Sequence, residues 1–251
     1  MFPDPRQVVM FPDPRQVVAV LPPRSPLDPH VVDTLVAPHV NGPYVLTPVI
    51  PVHRARRRSL ARLCRVGADE DLLQPRRCPD GTLLVAAGRL THLDLPRLAR
   101  AALAVAQQRW WTWKHLVADG TPLAVDWQSL LAQHEHDPRR LPLHEARRRY
   151  EAQPRVTTML ALRSAHAQLS WMDPDELPSF QAGQTLYCTL AWQQALVGRT
   201  LVLADATEHG HDVAYRPRSG SLTDRIGYLR ACMDVLAALP ADRAIATVIP
   251  G

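Results

Sequence analysis

Lysine is almost missing from this chain. Lys114 is the single one among 29 basic residues, so the rest are arginines. A GC-rich coding sequence produces that bias whatever the protein does. The formal charge of +5 therefore points to an acidic partner only where arginines cluster. Cysteine is scarce too: Cys64, Cys78, Cys188 and Cys232 include no C-x-x-C pair. This excludes the usual zinc-finger and dithiol spacings and fits reduced thiols in a cytoplasmic protein. The 11 glycines form no Walker loop, no G-x-G-x-x-G and no G-x-S-x-G elbow, so the familiar phosphate cradles and the hydrolase nucleophile turn are absent. No apolar run reaches the roughly 18 residues of a membrane span. Pro and Asp stand near the N-terminus where a signal peptide needs an apolar core. The expected localisation is cytoplasmic, with no membrane partner.

Tryptophan runs against this scarcity. Aromatics make up 6% of the chain, yet three of its six tryptophans fall within Leu95–His115. Asp94 is placed to cap a helix there, Pro96 lies in its first turn, and Asp119-Gly120 closes it. Leu95, Leu98, Ala102, Val105, Trp110, Trp113 and Val117 recur at spacings of mostly three and four and make one apolar face. Trp111 falls on the opposite face with Gln107, Lys114 and His115. An indole among such residues can stack on a base, hold a cation or anchor a partner; the alternative is a covering layer from elsewhere in the fold.

Residues 1–9 recur unchanged as residues 10–18. Two copies of so short a unit do not make a stacking architecture. The expectation is a start-site duplication, with Met10 the native start and the first copy a loose tail. Gln16–Leu21 reads as a strand, and Asp28 as the cap of a helix over Pro29–Val36. Tyr44–Val52 alternates, but Pro48 and Pro51 demote it to an edge or an irregular extended segment. Thr82–Leu90 is the most strand-like stretch. Beyond Gly120 come a capped helix to about His134, a break at Asp137-Pro138, and a basic helix over Leu143–Gln153. Val156–Leu162 is β-branched enough to suggest a strand. Asp173–Val197 reads as helical, with Gly198 as its stop. Arg199–Ala204 and Ile245–Ile249 suggest strands. Ser221, with Asp224 three residues on, opens the last helix.

The fold class expected is α+β, helix-dominated, with a small mixed sheet in the N-terminal half and a mostly helical C-terminal half. The expected parts are a tail over 1–9, an α+β domain over 10–119, a basic, Pro-containing connector over 120–154, and a helical domain over 155–251. A single domain over 10–251 is the alternative.

Two runs could contact phosphate. Arg54, Arg58, Arg62 and Arg65 would form a ridge if His53–Val66 is helical, and Arg147, Arg148 and Arg149 follow on the later basic helix. Pairing with Asp69, Glu70 and Asp71 is the competing explanation for the first run. With Trp111 as a stacking residue and Lys114 beside it, these arginines lead to a non-enzymatic nucleic-acid-binding or nucleic-acid-associated accessory protein. Such a protein needs no cofactor.

A second reading rests on Glu208-His-Gly-His-Asp212. His209, His211 and Asp212 are metal-ligand residue types, and with Glu208 as acid or base they would suit a hydrolase using a divalent metal such as zinc. The similar run Gln133-His-Glu-His-Asp137 falls at a helix end, where alternate residues diverge by about 200°. A third reading is a protein-interaction module using the exposed indole and the arginines. Ser219-Gly220-Ser221 with Arg216 and Arg218 is a candidate anion loop, a self-capped loop being the alternative.

Overall fold

The computed structural model describes residues 15–53, 72–204 and 212–250. The chain divides into two compact units. The first comprises Met1–Leu103, Ala191–Pro217 and Gly227–Gly251; the second comprises Ala104–Leu190 and Arg218–Ile226. The protein is α+β and helix-dominated.

The first unit is built on a sheet. Strand β1 (Val17–Val20) is followed by α1 (Pro29–Val36), β2 (Tyr44–Leu46), β3 (Ile50–Pro51), β4 (Leu72–Leu73), β5 (Arg76–Arg77), β6 (Leu83–Val85) and β7 (Ala87–Arg89). Helix α2 (Leu95–Trp113) opens here and ends in the second unit. Late in the chain come β8 (Thr200–Leu203), β9 (Val213–Tyr215) and β10 (Ala244–Pro250). The last strand is the central one. β10 pairs antiparallel with β1 on one side; on the other it pairs antiparallel with β7 and, further along, with β2. β7 pairs with β4, and β8 with β9. β8 runs beside β1 in the same direction, the Arg199 and Ala204 N–H groups donating to the Gln16 and Val20 carbonyls. The sheet is therefore mixed. Most strands come from the N-terminal half, as expected, but the element that joins them is the last in the sequence.

Alternation decides the core. Val17, Ala19 and Leu21 of β1 and its end, Val202 and Ala204 at β8, and Ala244, Ala246 and Val248 of β10 face one side of the sheet. Val32, Leu35 and Val36 of α1 cover them. The residues between, Val18, Val20, Leu201 and Ile245, are buried as well. Strands covered on both faces read as continuous apolar runs, which is how β1 and β10 look in sequence. The proline-broken stretch after Gly42 yields only β2 and β3, and Thr82–Leu90 splits at Ala86 into β6 and β7. There β6 joins a second small sheet with β3 and β5.

The second unit is helical. It holds the end of α2, then α3 (Trp127–His136), α4 (Leu143–Glu151), α5 (Pro154–Ala165), α6 (Leu177–Gln181) and the start of α7 (Gln184–Val197). Helix α8 (Leu222–Ala238) also starts here. Residues 120–154, expected as a connector, carry two of these helices and bury Leu130, Leu141, Ala146 and Tyr150.

Two expectations need correction. Val156–Leu162 is helix, not strand: Pro154 sits at the first helical position, and Val156 and Met159, three apart, are buried. Thr157 and Thr158, which made the stretch look β-prone, donate their hydroxyls back to the Glu151 and Pro154 carbonyls. The helix expected over 173–197 is broken at Gly183, whose φ of +101° ends α6 before α7 begins.

Candidate nucleic-acid interface

Helix α2 and its continuation carry the site. Asp94 accepts from the Arg97 N–H at 3.0 Å, the cap the sequence implied. Leu98, Ala102, Ala106, Trp113 and Val117 are buried. Past Trp113 the helix widens into a π turn over Lys114–Ala118, with the Asp119 N–H reaching the Lys114 carbonyl. A helix end leaves carbonyls without partners. Thr121 supplies part of the answer, donating its hydroxyl to the Val117 carbonyl at 2.6 Å and to that of Ala118 at 3.1 Å. Gly120, at φ +76°, turns the chain away.

Arg155 adds a second set of donors. It is 7% exposed. Its Nε donates to Thr121 Oγ1 at 3.1 Å and its Nη2 to the Thr121 carbonyl at 3.0 Å. Nη2 also reaches the Ala118 carbonyl at 3.5 Å, and Nη1 donates to Gln181 Oε1 at 3.0 Å. The guanidinium lies over the Trp113 ring, 5.5 Å from its centroid. Burial lowers its pKa. Among the described residues it has no ion-pair partner; the negative end of the helix dipole takes that place.

The three neighbouring tryptophans divide by role. Trp113 stacks on Phe180 at 5.0 Å, and Phe180 stacks on Tyr187 at 4.3 Å, so Trp113 belongs to the core. Trp110 is half-buried and donates its indole N–H to the Phe180 carbonyl at 3.1 Å. Trp111 is 45% exposed. It meets Trp110 edge to face at 5.4 Å, and the His115 ring stacks on it at 5.7 Å with 22° between planes. The Lys114 ammonium lies 5.0 Å from the Trp111 centroid and 5.6 Å from that of Trp110, within cation–π range of both. The His115 side chain is 65% exposed, and its Nδ1 is 3.2 Å from Asp119 Oδ2. The structure thus brings Trp111, Lys114 and His115 together on the surface, as the helical spacing implied.

Arg147, Arg148 and Arg149 lie exposed on α4, the basic helix expected there. Three consecutive residues fan over about 200° of a helix, so they do not line one ridge. Arg147 pairs with Glu151 at 3.0 Å, and Arg148 and Arg149 pair with Glu145 at 2.8 Å and 2.9 Å. The two guanidiniums hold the Glu145 carboxyl down at about 2. Three exposed cations thus share two carboxylates.

Arg54, Arg58, Arg62 and Arg65 lie outside the described residues, as do His209 and His211. Asp212 is exposed, one residue before β9. Among the described residues no three His, Cys, Asp or Glu side chains are grouped to hold a metal ion. In the other His-x-His run, His134 Nδ1 is engaged by the Leu141 carbonyl at 2.9 Å. The loop before α8 caps itself: Ser219 donates to Asp224 Oδ2 and accepts from the Ser221 N–H, and Ser221 accepts from the Asp224 N–H. Among the described residues, no helix is long and apolar enough to cross a membrane.

Two features carry no signal in the sequence. Arg155 and Arg243 are buried, and nothing in their spacing set them apart from surface arginines. The segment after Gly120 is clamped by two glutamines. The Gln181 amide both donates to and accepts from the Ala124 backbone, and the Gln153 amide does the same at Val125. Comparison with protein-family models, with curated proteins and with solved structures found no match.

Proposed function

We propose that this chain is a non-enzymatic nucleic-acid-binding accessory protein, with the surface formed by Trp111, Lys114 and His115 as its contact. The observation that carries the reading is the exposed Trp111–His115 stack with the Lys114 ammonium against it. Aromatic rings give bases a stacking surface, and an ammonium beside them attracts phosphate. Trp110 and Trp113, on the same helix, are both tied to Phe180, so the outward Trp111 is held on a rigid support. The α4 arginines add exposed guanidiniums whose glutamate partners a phosphate can replace, since exposed ion pairs are worth little.

The test is binding of a fluorescent oligonucleotide across a salt series. The reading expects affinity to fall steadily as salt rises, each phosphate contact adding to the slope. Lys114→Glu lowers affinity and makes the slope shallower. Binding that ignores both salt and Lys114→Glu contradicts it.

A further inference from the structure

We infer that the ligand of this surface is single-stranded nucleic acid and that an unpaired base stacks on the outer face of His115. The inference rests on the function proposed above and names the ligand class for that same site. The column runs outward from Trp110, edge-on to Trp111 at 5.4 Å, to His115, parallel to Trp111 at 5.7 Å. His115 covers one face of the Trp111 ring, and the Lys114 ammonium lies over that ring as well. The ring with surface to spare is His115, at 65% side-chain exposure. In a duplex both faces of every internal base are covered by its neighbours, so only an unpaired base has a face to offer.

Electrostatics separates base from backbone here. The column stands at the C-terminal end of its helix, the negative end of the dipole, and the Asp119 carboxylate lies 3.2 Å from His115 Nδ1. Both disfavour a phosphate directly over the imidazole, whereas a neutral base is tolerated. Lys114, one residue back, is left to meet the phosphate beside that base.

The experiment measures anisotropy of a fluorescein-labelled oligothymidylate of about 20 nucleotides, the span of one or two single-strand sites. The same label goes on a duplex of equal length, and both are titrated with the full chain at low salt. Expected are at least tenfold tighter binding of the single strand, a loss of about fivefold or more in His115→Ala, and recovery in His115→Phe, which keeps an aromatic face. Far-UV circular dichroism checks that these surface variants fold. Equal binding of duplex and single strand that is indifferent to His115→Ala but lost in Lys114→Glu overturns the inference and leaves the nucleic-acid reading standing. No binding of either probe at low salt overturns both.

Discussion

The Arg155 guanidinium lies 5.5 Å from the centroid of the Trp113 ring while donating to both the hydroxyl and the carbonyl of Thr121. One side chain thus joins α5 to the end of the helix that carries the exposed stack. Arg155→Met should lower stability by about 2–4 kcal/mol, because Thr121 and Gln181 lose a charged donor and the helix end loses its counter-charge. Lysine cannot reproduce a planar fork that reaches several acceptors, so Arg155→Lys should recover little. Urea unfolding of the three proteins checks this.

Gly198 ends α7 at φ +69°, and a Cβ there would stand 2.4 Å from the Gln16 carbonyl oxygen. That oxygen belongs to backbone at the start of β1 and already accepts from the Arg199 N–H. Gly198→Ala therefore combines left-handed strain with a clash that no rotamer relieves, and should cost more than about 2 kcal/mol. Gly120→Ala is the control: φ is +76°, yet nothing lies within 4 Å of the added carbon. It should cost about 1 kcal/mol, from backbone conformation alone. Thermal unfolding of both variants separates strain from clash.

Glu145 sets the acid behaviour of α4. Hydrogen bonds from Arg148 and Arg149 hold its carboxyl at about 2, against an ordinary value of 4.5. A folded-state value below the unfolded one means the stabilisation is complete above pH 4.5 and is lost as pH falls toward 2. NMR titration of the Glu145 carboxylate should follow this. Glu145→Gln removes the dependence and releases two guanidiniums, so it should tighten oligonucleotide binding at low salt by a few-fold. An unchanged affinity would take α4 out of the contact surface.

The thiols should react in an order set by burial. Cys232 is fully buried, and desolvation pushes its thiol up to about 12, so almost none is thiolate at neutral pH. Cys188 is buried and its thiol is also raised, while Cys78 is half-buried on a loop. Alkylation of the native protein, read peptide by peptide, should modify Cys78 well before Cys188 and Cys232.

What the sequence made legible was mostly local. Asp28, Asp94, Asp126 and Ser221 cap the helices they precede, because caps depend on residues only two or three apart. Helical periodicity put Trp111 on the polar face, but its 45% exposure, rather than cover by another layer, is known only from the fold. What stayed hidden depends on distant partners. Nothing near Ile245 says that β10 will hold β1, β7 and β2 together. The β-branched run at Val156–Thr158 misled because its threonines could turn their hydroxyls back on the chain. Arg147–Arg149 are the local exception: their carboxylate partners, Glu145 and Glu151, stand within four residues of them in the sequence. Arg155 looked like one more arginine because its role is set by the carbonyls of Ala118 and Thr121, more than thirty residues earlier.

The measurement that bears most directly on the central claim is photo-crosslinking of the full chain to oligothymidylate, with the adduct mapped by mass spectrometry. Trypsin separates Trp110–Lys114 from His115–Arg139, so the two halves of the surface can be read apart. The account predicts adducts on one or both of these peptides, and their loss in Trp111→Ala with His115→Ala. Adducts confined to other peptides, or none under conditions where binding is saturated, would contradict it.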